Sequence, residues 1–459
     1  MTRAPSPLVV IDVVGLSPAL LGANTPALNR LIGDGFLAPL DGVFPAVTCT
    51  AQASMLTGKL PREHGIVANG WYFRDLAEVW LWRQSNHLVQ AEQIWDRLKR
   101  EQPDFRCAQM FWWYNMYGGS DWSVTPRPIY PADGRKLPGL YSKPAELHRE
   151  LEDALGPFPL FNFWGPAAGL RSSRWIADSA RAVFDRFRPS LQFVYLPHLD
   201  YDLQRLGPSD PGIARAVSEI DAVVGELVDH LRGQGAEIMI VSEYGIEDAT
   251  GHVHINQILR QAGHIAVRET LGWELLDAGA SRAFAVADHQ VAHVYVQDER
   301  DIASVARLLS ACDGIERVLD ADGKREWGLD HPRAGELVAI AAPGHWFTYY
   351  YWLDDARAPD FARTVDIHRK PGYDPVELFI DPELRFAKGR IAMRLLQKKL
   401  GMRMNMDVIG LRPELVKGTH GRLAASPDHG PLMIGTDRRI AADRHAMCAV
   451  ADLIAQHWA

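Results

Sequence analysis

The stretch Leu8-Val-Val-Ile-Asp12-Val-Val14 decides how the first part of this chain folds. It is an unbroken apolar run with one acid inside it, bounded by Pro7 and Gly15. Continuous rather than alternating hydrophobicity is typical of a strand buried on both faces of a parallel sheet. Asp12 is then near the carboxyl end of a central strand. A lone carboxylate there is costly unless it is bonded to loop amides, paired, or bound to a metal ion.

Two further apolar segments have the same form, and each also leads into an acid. Leu191–Leu196 precedes Asp200, and Glu237–Val241 precedes Glu243. Residues 211–232 between them have the apolar spacing of a helix. This alternation predicts an α/β fold with a mostly parallel central sheet and helices on both faces. Because ligands bind outside the carboxyl ends of such strands, we expect the three acids to converge on one crevice.

A converging set of carboxylates predicts a metal site. Three carboxylates in one place repel each other strongly, and a divalent cation is the natural remedy. Histidines in the second half of the chain are candidate further ligands. His420 ranks first because it stands between small residues in Gly418-Thr-His420-Gly421, where the backbone can approach an ion closely. His289 and His429 rank behind it.

A second conspicuous stretch is Phe44-Pro-Ala-Val-Thr48-Cys49, followed by a segment of helical character over residues 51–56. The Pro-led turn predicts that Thr48 lies at or just before a helix N-terminus, beside free backbone N–H groups that favour an anion. The alternative interpretation is that Thr48 only caps the helix.

Composition excludes several classes of protein. The chain has 459 residues, 47% hydrophobic composition and a net charge of −8, which argues against stable nucleic-acid binding. No C-x-x-C pair occurs, so neither a disulfide scaffold nor a thiolate zinc site is indicated. We find no secretory signal and no apolar run long enough to span a bilayer, and we expect a cytoplasmic protein without a membrane partner. Residues 126–166 are rich in Pro and Gly and predict a surface excursion without regular elements.

Taken together, these blocks resemble the alkaline phosphatase superfamily, and within it the nucleotide pyrophosphatase/phosphodiesterase branch. They follow the order of the family and span nearly the whole chain. The blocks are the strand with Asp12, Phe44-Pro-x-x-Thr48, Thr57-Gly58 with Pro61, His64-Gly-Ile, Asn69, Pro197 to Asp200 with Gly207-Pro208, Ser242-Glu-Tyr-Gly245, and Gly418-Thr-His420-Gly421.

The resemblance implies a set of roles. Members of that family hold two metal ions, usually zinc, and cleave phosphoesters through a covalent phospho-enzyme intermediate. By resemblance, Thr48 is the nucleophile and, with Asp12, a ligand of one metal. Asp200 and His420 are ligands of the other. Asn69 holds a phosphate oxygen, together with the backbone N–H after Thr48, which belongs to Cys49.

Two positions depart from the family pattern. The chain has Asp200-Tyr-Asp-Leu-Gln204 where the branch has Asp-x-x-x-His, and Ser242-Glu243-Tyr244-Gly245 where it has Ser-Asp-His-Gly. Glu243 can still bind a metal, Gln204 only weakly, and Tyr244 only as a phenolate or hydrogen-bond donor. Fewer nitrogen ligands favour manganese or magnesium over zinc, or weaken one site. His289 and His429 are the candidates to replace the lost imidazoles.

The sequence therefore predicts a metal-dependent hydrolase of phosphate esters. The bond is a phosphodiester or pyrophosphate rather than a monoester, in a small-molecule or nucleotide-like substrate. Alternatives are a phosphonate hydrolase or phosphoryl transferase of the same superfamily, and a non-catalytic binding or scaffold protein with an impaired metal site. We expect a catalytic core of residues 1–245 and 404–459, with 246–403 forming an inserted cap subdomain. Trp346 and the aromatic run 349–352 are either substrate contacts or packing.

Overall fold

A computed structural model describes residues 6–132 and 136–458. Its centre is a nine-stranded sheet in which the fourth to eighth strands are parallel. In spatial order the strands are His445–Ala446, Phe36–Asp41, Leu432–Gly435, Glu237–Val241, Leu8–Val13, Leu191–Leu196, Cys107–Met110, Trp122–Pro126 and Leu140–Lys143. The mostly parallel α/β architecture predicted from the apolar runs is confirmed.

The strand Leu8–Val13 is in the middle of this sheet and is buried throughout. Its neighbours are Leu191–Leu196 and Glu237–Val241, and Asp12 pairs with Tyr195 on one side and Val241 on the other. The register places the ends of all three strands at one edge. Residues that follow these strands therefore start from the same side of the molecule.

Helices flank the sheet in two groups. Pro26–Asp34, Leu170–Phe187 and Ile213–Gly233 pack together, as do Thr48–Thr57, Ile94–Glu101 and Val450–Gln456. The longest, Ile213–Gly233, buries Ile220, Val224 and Leu227 along one face. The other core helices are Pro61–His64, Leu147–Leu155 and His198–Leu206. The strand Leu140–Lys143 and the helix Leu147–Leu155 show that the prediction of no regular elements in 126–166 is wrong. Short Pro-rich and polar connections hid two elements that pack against the core.

A smaller antiparallel sheet lies within residues 246–403, the segment predicted to be an insertion. Its strands run in the order Ala283–Asp288, Val291–Val296, Leu337–Ala341 and Ile315–Leu319. The remaining strands form pairs: Gly70–Phe73 with Glu78–Leu81, Glu247–Asp248 with Gly418–Thr419, Gly251–Val253 with His345–Phe347, and Val267–Thr270 with Trp273–Leu276. The helices of this part are Ile255–Gln261, Glu299–Ser310, Ala321–Glu326 and Ala387–Lys399. The aromatic run 349–352 is fully buried here, so its role is packing.

Residues 246–403, the predicted insertion, contain a buried ionic cluster. Lys370 is 1% exposed, and its Nζ lies 2.7 Å from Asp374 Oδ2 and 2.7 Å from Glu377 Oε1. Trp164 of the core donates its indole N–H to Glu377 Oε2 at 2.6 Å. Burial lowers the pKa of Lys370, but the two carboxylates outweigh it and the pKa is raised overall. The cluster therefore joins the insertion to the core through a charged ammonium.

His64, part of the family-like block near Thr48, has a structural role. It is buried; its Nδ1 accepts the N–H of Ile66 at 3.0 Å, and its Nε2 is 2.9 Å from Ser54 Oγ. An accepting Nδ1 means that the neutral ring carries its proton on Nε2. Burial, with the nearby charges of His331 and Arg333, lowers the pKa of His64 to about 3.

None of the helices within residues 6–132 and 136–458 combines the length and apolarity needed to cross a bilayer.

Candidate functional site

Thr48 begins the helix Thr48–Thr57 at the carboxyl edge of the sheet. The residue before it, Val47, is extended (φ −131°, ψ 154°) and occupies the N-cap position, so Thr48 is the first helical residue rather than a capping side chain. Its side chain is directed into the protein and is only 4% exposed. The hydroxyl thus lies where the helix dipole and the first free N–H groups favour negative charge.

Asn69 lies directly beside this helix start. Its Oδ1 accepts the N–H of Cys49 at 2.9 Å. Asp288 of the insertion holds the other side of Asn69, accepting its backbone N–H at 2.8 Å and its side-chain amide at 3.0 Å. His289 Nδ1 is 2.8 Å from the same carboxylate. The amide of Asn69 is therefore fixed in orientation before any substrate arrives.

Asp12 and Glu243 meet beneath the helix, as predicted from their strands. The side-chain amide of Gln52 donates to Glu243 Oε1 at 2.7 Å and to Asp12 Oδ2 at 3.3 Å. Burial, and then the charge of Glu243, raises the pKa of Asp12, and burial raises the pKa of Glu243. Within the described chain, Asp12 Oδ1 and Glu243 Oε2 have no hydrogen-bond partner. Two buried carboxylates each keep one oxygen available for a cation.

Asp200 lies in the first turn of the helix His198–Leu206, which follows the strand Leu191–Leu196. One turn later, Gln204 donates its amide to Asp200 Oδ2 at 2.7 Å, and the Gln204 carbonyl accepts the hydroxyl of Tyr373 at 2.9 Å. Burial raises the pKa of Asp200 to about 7, against the opposing effect of the Gln204 hydrogen bond. Gln204 thus bonds to the acid with which it was expected to share a metal ion.

Tyr244 connects the two halves of the site. Its hydroxyl is 3.0 Å from Thr48 Oγ1 and donates to Asp200 Oδ1 at 3.3 Å. Because Gln204 already bonds to Oδ2, both oxygens of Asp200 have protein partners. Burial raises the pKa of Tyr244 well above its usual value, so the group at this position is a neutral phenol.

Four aromatic rings form a column through the site, in the order Tyr373, His289, His420 and Tyr244, with the two histidine rings tilted by 38° to each other. Successive centroids are 3.7, 3.7 and 3.6 Å apart. His420 Nδ1 bonds to the carbonyl of Ala46 at 2.8 Å, so Nδ1 carries the proton and Nε2 is the free nitrogen, 4.0 Å from Asp200 Oδ1. Burial lowers the pKa of His420 and of His289, so both rings are neutral.

The donor set fits one cation better than two. Asp12, Glu243 and Thr48 offer oxygens, two of them unpartnered carboxylate oxygens, which is the chemistry of a hard divalent ion. The Asp200, Gln204 and His420 group does not fit, because Tyr244, Gln204 and Tyr373 already bond to its oxygens. At neither position do the described residues bring three His, Cys, Asp or Glu side chains together as a ligand group, and Thr48 is the third member of the first set.

The structure thus brings together nearly all residues singled out in the sequence. Thr48, Cys49, Asn69, Asp12, Glu243, Asp200, Gln204, Tyr244, His289 and His420 are buried in one place. His429 is not: its ring is exposed, and only its backbone packs here, since a Cβ on Gly245 would lie 1.8 Å from the His429 carbonyl oxygen. Sequence reasoning missed Gln52 and Tyr373. For Gln52 a signal existed, because it is one helical turn after Thr48 on a helix of small and apolar residues.

Solved structures define the class of fold. Phosphonoacetate hydrolase from Sinorhizobium meliloti, in complex with phosphonoformate, has a TM-score of 0.63 and 15% identity, covering 99% of this chain and 96% of that one. Murine ectonucleotide pyrophosphatase/phosphodiesterase 5, in complex with AMP, has a TM-score of 0.58 and 14% identity, covering 99% and 95%. The chain therefore has the fold shared by these two proteins.

The sequence identifies the family itself. Residues 8–374 match the family described as type I phosphodiesterase/nucleotide pyrophosphatase, and the chain belongs to it. An uncharacterized pyrophosphatase/phosphodiesterase of Schizosaccharomyces pombe is 24% identical over 242 residues, 50% of this chain and 41% of that protein. Ectonucleotide pyrophosphatase/phosphodiesterase 2 of Saccharomyces cerevisiae is 24% identical over 278 residues, 53% and 48%. The matches thus span less than half the length of these relatives.

Proposed function

We propose that this protein hydrolyses phosphate esters, at a phosphodiester or pyrophosphate bond of a small nucleotide-like substrate, with Thr48 as the nucleophile. The observation that supports this most strongly is the position of the Thr48 hydroxyl at the start of a buried helix. A phosphoryl group placed there meets the side-chain amide of Asn69, whose orientation is fixed by the Cys49 N–H on its oxygen and by Asp288 on its nitrogen. Family membership supports the same reaction class.

In the proposed reaction Thr48 Oγ1 attacks phosphorus, and the bond from phosphorus to the leaving alcohol or phosphate breaks. The hydroxyl proton leaves with the departing group. Water then cleaves the phosphothreonine, returning a proton to Thr48 and releasing the phosphorylated product. Asn69 stabilises the charge that develops on the phosphoryl oxygens through the second N–H of its side-chain amide, while the Cys49 N–H holds its oxygen. Asp288 acts on the reaction by holding Asn69 in place.

Asp12, Glu243 and Thr48 would hold a divalent cation in this scheme, with oxygen ligands that favour magnesium or manganese over zinc. When bound, such an ion lowers the pKa of a hydroxyl ligand and neutralises phosphoryl charge. The zinc pair implied by the resemblance is not supported at Asp200 and His420, because Tyr244 and Gln204 already donate hydrogen bonds to both oxygens of Asp200.

A second candidate function is binding of a phosphate ester without turnover. It is favoured by the contacts of Tyr244, whose hydroxyl is bonded to Thr48 and Asp200 together. A nucleophile that is 4% exposed and already hydrogen-bonded must be released before it can react.

A panel of substrates tests both candidates. A diester, a nucleotide pyrophosphate, a monoester and a phosphonate would each be assayed with magnesium, manganese and zinc. We expect diester or pyrophosphate cleavage, reduced roughly 10³-fold or more by Thr48→Ala and retained in part by Thr48→Ser. Cleavage unaffected by Thr48→Ala would refute the assignment of the nucleophile. AMP binding in equilibrium dialysis, without cleavage under any of the three ions, would establish the second candidate instead.

A further inference from the structure

The helix Ala387–Lys399 in the insertion exposes an apolar stripe to solvent. Phe386, Met393, Leu396 and Leu400 are 89%, 57%, 56% and 66% exposed. Met393, Leu396 and Leu400 follow at spacings of three and four residues and therefore lie along one face of the helix, and Phe386 is the residue just before its first turn. Large apolar side chains scattered singly on a surface are ordinary, but a continuous stripe marks a site of interaction. We call residues 384–403 the basic segment.

The charge of the basic segment is opposite to that of the rest of the chain. It contains seven Lys and Arg residues and no Asp or Glu, so it carries +7. The whole chain is −8, which leaves −15 on the remainder. On the helix, Lys388 and Lys399 lie along one side of the apolar stripe, as the 100° rotation per residue requires. An apolar stripe flanked by cations is typical of helices that lie in a membrane interface.

The opposite face of the helix attaches it to the protein. Arg394 bonds to Asp407 at 2.9 Å, Arg390 pairs with the same carboxylate, and Ile391 packs on a small apolar cluster. These contacts hold the helix against the surface with its stripe directed away from the core. The stripe is therefore presented to solvent by the fold, rather than left over at a frayed end.

Two exposed aromatic side chains adjoin the helix. The ammonium of Lys398 is 5.9 Å from the ring of Phe161, which is 52% exposed. Arg403 donates to the carbonyl of Ala132, two residues beyond Tyr130, which is 54% exposed. Aromatic rings at the edge of an apolar surface are favoured at the level of lipid headgroups.

We propose that the basic segment binds the surface of an anionic lipid bilayer, with its helix parallel to the membrane plane. Met393, Leu396, Leu400 and Phe386 would enter the headgroup region, and Lys388 and Lys399 would contact anionic headgroups. A second copy of the chain fits less well, because two such stripes face to face bring like charges together. The net charge of −15 on the remainder turns the other faces of the protein away from the membrane. This attachment needs no spanning helix, and it differs from the sequence-based prediction of no membrane partner.

Flotation of the full chain with vesicles tests the proposal. We would compare vesicles of phosphatidylcholine alone with vesicles containing about one third phosphatidylglycerol, a fraction chosen to give strong negative surface potential. We expect binding only to the anionic vesicles, weakened as salt is raised. The double variant Met393→Glu/Leu396→Glu should reduce the partition coefficient by roughly tenfold or more, since two apolar side chains are lost from the interface. Leu76→Glu, at an apolar side chain that is 61% exposed in a distant turn, is the matched control and should bind like the unmodified chain.

Each other outcome overturns the proposal. Equal binding to neutral and anionic vesicles removes the role of the cations, and loss of binding in Leu76→Glu removes the role of the stripe. Absence of vesicle binding, with a dimer in light scattering that Met393→Glu/Leu396→Glu dissociates, assigns the stripe to a second copy. Absence of both, with binding to an acidic helical peptide, assigns it to a protein partner. None of these readouts depends on hydrolysis, so they are independent of the proposed function.

Discussion

Replacing Lys370 by Met should destabilise the protein strongly, because it leaves two carboxylates buried without their counter-ion. Lys370, Asp374 and Glu377 have side chains 1%, 2% and 1% exposed. Removing one partner of a buried ion pair costs about 3–5 kcal/mol, because the remaining charge is left without a counter-ion. Replacing all members of the group by apolar residues would cost far less. With an unfolding entropy of about 2.1 cal/mol/K per residue, 459 residues give about 1 kcal/mol per degree. The expected fall in the unfolding midpoint is about 3–5 °C if the chain unfolds as one unit.

The matched control is Lys59→Met, because Lys59 also pairs with a carboxylate four residues later. That pair, with Glu63, is 51% and 46% exposed. An exposed pair of this kind contributes about 0.3–0.5 kcal/mol, less than 1 °C on the same scale. Both variants would be followed by near-ultraviolet circular dichroism during heating, at one scan rate. Burial already raises the pKa of Glu377, so the deficit of Lys370→Met should shrink as the pH is lowered and that carboxyl becomes neutral. Equal midpoints for the two variants would refute the reasoning.

Three further results follow from the geometry. The free energy of unfolding should fall as the pH drops from 6.5 toward 3, because His64 stays neutral in the folded protein while the unfolded chain takes up a proton there. The loss is about 2 kcal/mol by pH 5. His64→Gln should abolish this part of the pH dependence of the urea midpoint. Asp288→Ala should lower kcat/KM by roughly tenfold to a hundredfold, because it releases Asn69, and the pH profile should stay unchanged. A loss as large as that of Thr48→Ala would mean that Asp288 contacts the reacting atoms. Gly245→Ala should reduce the soluble yield, or lower the free energy of unfolding in urea by more than about 3 kcal/mol, because the new Cβ would lie 1.8 Å from the carbonyl oxygen of His429. A urea midpoint like that of the unmodified chain would show that the loop moves to make room.

The parts of the fold that the sequence predicts are those in which burial is continuous. The strand Leu8–Val13 is apolar along its whole length and lies in the middle of the sheet, so its pattern admits few alternatives. The helix Ile213–Gly233 has an equally clear period. Leu140–Lys143 and Leu147–Leu155 are short and follow Pro and Gly, so their place is set by tertiary packing that no local pattern records.

The candidate site also contains residues that the sequence predicts and residues that it does not. Asp12 and Glu243 follow from strand position, and Thr48 follows from the turn before its helix. Tyr373 could not be predicted, because it belongs to an irregular segment, and only the fold of the insertion brings its hydroxyl to Gln204. The role of Tyr244 also could not be predicted. A phenol in place of an imidazole indicates that a metal ligand is lost, but the sequence does not show the hydrogen bond to Thr48.

The ring column determines which fragments of this chain can form the whole candidate site. Its members come from positions 244, 289, 373 and 420, so the column closes only after three distant segments have folded against the first. A fragment cut at residue 374, the end of the family match, would keep Thr48 and both carboxylates beneath it. It would lack His420 and the Gly421 carbonyl that accepts the N–H of Ala46, two residues before the nucleophile. During synthesis, therefore, the site can be completed only after residues 420 and 421 have emerged from the ribosome.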